Sequence, residues 1–300
     1  MYDLVTIGDV TIDLFFRSIS IPVVDSKFSL SVGGKYMAEY FFESVGGGGA
    51  NVAIGATNHG LNTAVFSKIG ENSFKQIILQ KLLKKMVSTE FLIHDPSFTN
   101  ISTILLSSKG EKSVIHHATL HEDLDVNEVI REKLLSSKLF YMGNLPDISL
   151  SRKEALLSFL KKNNKKVYLN IGTSDCQKRL HKLTPLLKLA DILIINTYEY
   201  AQLLGLKKEK IDFTKDCAKQ IMFSDKLLIL TDGPGGSYGY FEGKVHHKPA
   251  YKATVIDTTG AGDAYVAGFI SSQMKDESIE KSMEMGSLYA VKIIEKVGAN

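Results

Sequence analysis

Asp257-Thr258-Thr259-Gly260-Ala261-Gly262-Asp263-Ala264-Tyr265-Val266-Ala267-Gly268-Phe269 joins a turn of small residues to an apolar helical run, with an acid at the junction. Small residues from Gly260 to Gly262 let consecutive backbone N–H groups face one concavity, and the helix that follows aims its positive end at the same spot. An anion is held there without a lysine. Asp263 then stands beside the anion, able to accept a hydroxyl proton while the N–H groups stabilise charge on a transferring phosphoryl group. The competing reading is an ordinary helix start, with Asp263 as a capping carboxylate and glycines chosen for tight helix–strand packing.

A second segment, Gly46-Gly47-Gly48-Gly49-Ala50-Asn51-Val52-Ala53, runs on to Gly60 and Gly70 and joins a bare backbone turn to another small-residue helix start. In these two segments, one near each end, the chain resembles the ribokinase-like (PfkB) carbohydrate kinases, and the resemblance covers almost the whole chain. It implies a ribokinase-like three-layer α/β sandwich with a mainly parallel sheet, plus a small β-sheet lid over the substrate that also clasps a homodimer. It further implies an ATP-dependent kinase that phosphorylates a hydroxyl of a small sugar. Asp263 is then the catalytic base, and Gly260, Ala261 and Gly262 form the anion hole.

Four further stretches take roles from the same resemblance. Asn196-Thr197-Tyr198-Glu199 follows the apolar strand Ile192 to Ile195 and resembles the family's N-x-x-E motif, in which Asn196 and Glu199 hold Mg2+ through water. A capping box fits this spacing equally well. Thr231-Asp232-Gly233-Pro234-Gly235-Gly236 resembles the nucleotide-binding T-x-G-x-x-G loop, making Thr231, Gly233 and Gly236 ATP contacts, with a plain hairpin turn into Tyr238-Gly239-Tyr240 as the rival. Asp257 and Thr259 match positions that contribute to a monovalent-cation (K+) site in ribokinase, with Gly298 near it. On the acceptor side, Asp13, Gly46, Gly47 and Asn51 match sugar-contacting positions, and a carboxylate and an amide suit the hydrogen bonding of vicinal diols.

The chain also departs from the family pattern. Asn170 stands where many members have an acid, Gly172 where they have Asn, and Asn144 where ribokinase has a glutamate that contacts ribose. After Gly70, the run Glu71-Asn72-Ser73-Phe74-Lys75 lacks the usual acid and terminal glycine. Ribose is therefore not a secure substrate. A nucleoside kinase is the alternative inside the family, because Phe15, Phe16, Tyr36, Tyr40, Phe41 and Phe42 could stack on a base. A catalytically silent sugar-binding protein on the same fold is the alternative outside enzymes.

Other chemistries fail on spacing or composition. Gly46, Gly48 and Asn51 lack the third small residue and the βαβ context of a dinucleotide fingerprint. Gly34-Lys35 and Gly243-Lys244 lack the upstream glycine and the following hydroxyl of a P-loop. The two cysteines, Cys176 and Cys217, sit in no metal-ligand spacing, which argues against structural zinc and a disulfide framework. The net charge of +3 is spread through lysine pairs on amphipathic helix faces, which argues against nucleic-acid binding. With no basic region and apolar core at the start and no apolar run of spanning length, the expectation is a cytoplasmic protein with no membrane contact.

The chain alternates buried strands (Leu4 to Gly8, Ala64 to Ile69, Leu139 to Met142, Lys166 to Ile171, Ile192 to Asn196, Leu227 to Thr231) with helices. Helices are expected near 49–59, 73–86, 126–135, 149–162, 177–189, 198–204, 214–223, 262–274 and 278–296. Residues 1–13, 46–98 and 118–300 are expected to form the α/β domain. Period-two alternation in 14–45 and 99–117 suggests an antiparallel lid sheet, with strands at Phe15 to Arg17, Phe28 to Val32, Tyr36 to Phe42, Ile101 to Ser107 and Ser113 to His117, the last two joined at Ser108-Lys109-Gly110-Glu111. His116-His117 and His246-His247 are expected on strand edges, because adjacent residues face opposite sides and do not chelate as a pair.

Overall fold

A computed structural model describes residues 1–300 apart from Ser26, 108–110, 121–123 and Asp125; the expected turn at 108–111 therefore lies largely outside the described residues. Nine strands form the main sheet in the order β15-β14-β13-β12-β11-β10-β1-β6-β7. They are β1 (Leu4–Ile7), β6 (Thr63–Gly70), β7 (Leu92–Asp95), β10 (Leu139–Met142), β11 (Lys166–Leu169), β12 (Ile192–Asn196), β13 (Leu227–Thr231), β14 (Ser237–Phe241) and β15 (Lys244–Lys248). The sheet is parallel from β7 to β13, and β14 and β15 extend it as antiparallel strands.

The parallel strands are apolar at nearly every position because helices cover both faces. Val5, Ile7, Phe140, Met142, Leu193 and Ile195 point into one core, while Leu4, Leu139, Tyr141, Ile192 and Ile194 point into the other. The first face is covered by α3 (Glu128–Leu134), α4 (Leu150–Lys162), α5 (Thr173–Cys176), α6 (Leu180–Leu189), α7 (Thr197–Leu204) and α8 (Cys217–Gln220). The second carries α1 (Gly48–Asn58), α2 (Lys75–Lys84), α9 (Ala261–Gln273) and α10 (Ile279–Ile294). Each fully buried Phe or Leu contributes about 1.5–3 kcal/mol. No helix of the described residues is long and apolar enough to cross a membrane.

A separate four-stranded sheet, β5-β2-β8-β9, is built from β2 (Thr11–Arg17), β5 (Tyr40–Gly46), β8 (Asn100–Leu106) and β9 (Lys112–Ala118). It is mixed, correcting the antiparallel expectation: β2 pairs parallel with β8, because both leave the main sheet in the same direction. The expected strand at Phe28 to Val32 shrinks to a two-strand ribbon of β3 (Val23–Val24) and β4 (Lys27–Phe28), and the strand expected at Tyr36 to Phe42 starts only at Tyr40. Between them Val32 is fully exposed and Met37 largely so, leaving the alternation there with nothing to pack on.

Two expected helices also shorten. Asp212 Oδ1 accepts from Thr214 N and Thr214 Oγ1, a local turn that delays α8 until Asp216 caps it. The helix expected near 177–189 begins only at Leu180, after Arg179 at φ 75°, and α5 precedes it as a separate turn that was not expected.

Candidate active site

Two helix starts meet at the carboxyl ends of the central strands. The first turn of α1 is pressed so close to β1 that a Cβ on Gly49 would lie 2.7 Å from the Gly8 backbone. Gly47, at φ 89°, has room for no side chain either, its Cβ position being 2.4 Å from Asp9 O. That carbonyl accepts the N–H groups of Gly49 (3.0 Å) and Ala50 (3.3 Å). At the second start, Gly260 adopts the left-handed region at φ 74° and caps α9. Ala261 N–H turns back to Thr258 O at 3.3 Å. The N–H groups of Gly260, Gly262 and Asp263 find no acceptor among the described residues. The open donors thus include Asp263's own amide, while that of Ala261 is partly spent on the turn. With both helices presenting their positive ends, the cleft suits an anion.

Asp263 and Asn51, each in the first turn of its helix, meet across this junction: Asn51 Nδ2 donates to Asp263 Oδ2 at 2.8 Å. Asn51 Oδ1 in turn accepts from Asn300 Nδ2 at 2.9 Å, and Asn300 Nδ2 also reaches Val45 O at 2.8 Å. Asn51, expected as a sugar contact, uses both polar atoms on protein partners and so fixes the orientation of Asp263. Burial pushes the Asp263 carboxyl up, and the Asn51 amide only partly pulls it back. A carboxylate raised in this way is a stronger proton acceptor than an exposed one.

A cavity of about 520 Å³ opens beside the turn, lined by Thr231, Gly233 and Gly236 on one side, Ala261 and Gly262 on another, and Val255, Ala290 and Val291 as an apolar wall. This volume lies in the range of about 300–1,000 Å³ usual for small-molecule sites. Gly236, at φ 88°, lies so near β15 that a Cβ would be 2.0 Å from Lys248 O. Asn196 and Glu199 lie next door rather than in its wall, since Asn196 pairs with Thr231 across β12 and β13. They form the capping box: Glu199 N donates to Asn196 Oδ1 (2.8 Å) and Asn196 N to Glu199 Oε2 (3.0 Å). Glu199 Oε1 stays outside that pair. Burial raises the Glu199 carboxyl, opposed by its bonds to Asn196. Asp232 ties this helix start to the glycine loop, accepting from Thr197 Oγ1 at 2.6 Å and from Lys208.

On the opposite side, Asp13 lies on β2 of the small sheet. Gly46 must lack a side chain because a Cβ would fall 2.0 Å from Asp13 Oδ2. Asp13 Oδ1 accepts from Thr11 Oγ1 at 3.0 Å. Burial raises its carboxyl, offset by Thr11, Ser102 and His116. Ser102 Oγ lies 3.1 Å from His116 Nδ1, which gives this face a polar row that sequence reading left as strand-edge residues. Asp9, just after β1, was also missed; burial and the nearby Asp147 push it up to about 6 against the pull of Lys153. Its position after a buried strand and Gly8 was the available signal. Gly172 makes room for Asn144, whose amide fills the space a Cβ would need.

Asp257, Thr259 and Gly298 do come together. Asp257 Oδ1 accepts Thr259 N (2.9 Å) and Thr259 Oγ1 (2.7 Å), and Oδ2 accepts Gly298 N (3.1 Å). Lys112 Nζ, from β9, completes the group at 2.5 Å from Asp257 Oδ1 and bonded to Thr259 Oγ1 as well. The oxygens expected to hold K+ thus already face an ammonium, and the donor set does not fit a free monovalent ion. Burial raises the Asp257 carboxyl, but the bonds from Lys112, Thr259 and Gly298 outweigh it and hold it below the usual carboxylate range. Among the described residues, no three His, Cys, Asp or Glu side chains are grouped to hold a metal directly.

Residues 1–300 match the model of the pfkB family of carbohydrate kinases. The chain is 30% identical over 262 residues to a probable chloroplastic fructokinase-6 of Arabidopsis thaliana, covering 82% of this chain and 67% of the relative. It is 23% identical to a 5-dehydro-2-deoxygluconokinase of Listeria monocytogenes, covering 98% and 90%. The fold superposes with TM-score 0.81 on an Arabidopsis thaliana ribokinase solved with ribose and ATP, at 21% identity, covering 99% of this chain and 94% of that one.

Proposed function

Because the chain belongs to the pfkB family of carbohydrate kinases, we propose that it transfers the γ-phosphate of ATP to a hydroxyl of a neutral small sugar, with Asp263 as the base. The observation that carries this reading is the placement of Asp263 where two helix starts converge, beside open N–H groups and next to the 520 Å³ cavity. ATP lies in that cavity, its base against Val255, Ala290 and Val291 and its phosphates running from the Thr231–Gly236 loop toward the Gly260–Gly262 turn. The acceptor hydroxyl gives its proton to Asp263 as its oxygen bonds to the γ-phosphorus; the bond to the bridging oxygen breaks and ADP leaves. The open N–H groups take up the charge on the transferring phosphoryl oxygens.

Asn196 and Glu199 fit Mg2+ held through waters, Glu199 Oε1 being outside the capping pair; the ion when bound neutralises phosphate charge. On the acceptor side Asp9, Asp13 and Asp147 set an acidic floor. Carboxylates accept hydroxyl hydrogen bonds but repel an anionic sugar, which favours a neutral hexose or pentose over a sugar acid. The half-exposed Tyr40 and Phe41 and the more exposed Ile115 offer an apolar surface on the small sheet for a homodimer, which light scattering tests directly.

The experiment is ADP release with ATP and Mg2+ over fructose, ribose, 2-keto-3-deoxygluconate and adenosine. A neutral sugar with a KM well below that of the acid and the nucleoside supports the reading. ADP release with adenosine alone would replace it by a nucleoside kinase, and sugar binding without turnover by a silent binding protein.

A further inference from the structure

Resting on the kinase reading, we propose that Lys112 is a positioning residue: an ammonium carried on the small sheet that takes the place of a free monovalent cation beside the anion hole and pins that sheet to the phosphate cradle. Lys112 opens β9, an edge strand of the β5-β2-β8-β9 sheet, and its Nζ lies 2.5 Å from Asp257 Oδ1 while also bonding Thr259 Oγ1. The Asp257 side chain is only 4% exposed, against 32% for that of Lys112, so the charge enters from outside to meet a buried one. Asp257 organises the local backbone through Thr259 N, Thr259 Oγ1 and Gly298 N. One residue beyond Thr259 stands Gly260, the cap of α9, whose N–H is among the open donors.

Two consequences follow. An incoming triphosphate meets a neutralised pair rather than a bare carboxylate at the foot of its cradle. The small sheet also cannot lift without leaving Asp257 buried and short of its counter-charge, a costly state. Phosphate site and cover are thus coupled by one side chain, and no dissolved ion is required.

The test measures sugar phosphorylation and ADP binding in wild type, Lys112→Ala and Lys112→Arg, at constant ionic strength in choline, sodium, potassium or ammonium chloride. Wild type should turn over equally in all four salts. Lys112→Ala should lose roughly 10- to 100-fold in kcat in choline chloride, the scale of one lost charge-assisted hydrogen bond. Ammonium or potassium should restore at least about tenfold of that by filling the vacated position, whereas choline is too large. Lys112→Arg should keep more activity than Lys112→Ala.

Should Lys112→Ala fail to fold, Lys112→Met, which keeps the aliphatic stem, is read by the same criteria. Wild-type stimulation by potassium, or an alanine variant that is unimpaired or impaired without ion preference, would overturn the inference while wild-type ADP binding leaves the kinase reading standing. Wild type that binds no ADP would overturn both.

Discussion

Removing the Asn51 amide by Asn51→Ala should move the pH dependence of catalysis by an amount the structure sets. Asn51 Nδ2 donates to Asp263 Oδ2 at 2.8 Å, and among the described residues no other side-chain bond supports that carboxyl. Hydrogen bonds to charged groups contribute about 1.5–3 kcal/mol and neutral ones about 0.5–1.5, so the amide favours the carboxylate over the acid by about 1–1.5 kcal/mol. At 1.36 kcal/mol per pKa unit, its loss raises an already raised pKa by about one further unit. Asp263 must be ionised to accept the hydroxyl proton, so activity is lost as pH falls through this pKa. The acid limb of kcat/KM should therefore shift about one unit toward higher pH, costing about tenfold below both pKa values and much less above them. Asn300 keeps Val45 O as an acceptor, which limits the collateral change. A full pH–rate profile of both proteins is the assay. An equal loss at every pH with an unmoved acid limb would refute Asp263 as the titrating base.

Asp263→Asn should cut kcat by roughly 10²- to 10⁴-fold, the usual contribution of a general base, without lowering Tm. The sign is definite: a carboxyl raised by folding leaves the native state holding more protons than the unfolded state between the two pKa values, so its contribution to stability falls as pH rises through that window. Removing the charge should then raise Tm at neutral pH, and a drop of several degrees would contradict the burial argument. Asp9→Asn should behave likewise, its stabilising effect growing from about pH 4 to about 6 and holding above, with a higher sugar KM; thermal melts across that range check it. Gly260→Ala should destabilise by about 1–3 kcal/mol, because φ is 74° and the new Cβ would sit 2.4 Å from Ala299 Cβ; urea unfolding with an unchanged midpoint would refute it. Asp175→Ala strands buried Lys153 without its carboxylate and should cost about 3–5 kcal/mol, with Asp175→Leu plus Lys153→Met costing less than the single change in the same unfolding assay.

The parts of this protein legible without its structure are those encoded within a turn or two of chain. Gly260 to Asp263 read as a helix start because the small residues and the acid are adjacent, and α9 begins there. Asn196 and Glu199 are three apart, and both halves of the capping box form. The apolar runs from Leu4 to Thr231 read as parallel strands because burial on both faces leaves no polar alternation to mislead. The reading weakened at the sheet edges. There β7 went unseen, and β14 and β15 were met only as a turn and a histidine pair, since half-exposed strands carry mixed patterns.

Local sequence, then, determined which central segments become buried strands, and that one helix start pairs an anion cradle with an acid, because backbone geometry and capping depend on near neighbours. Folding in three dimensions decided which distant groups meet. Asn51 and Asp263 are 212 residues apart, Lys112 and Asp257 are 145 apart, and Asn300 reaches Asn51 across 249. Such contacts depend on strand order, on the parallel β2–β8 pairing and on how two helices pack, and none of these is specified by any short stretch of residues.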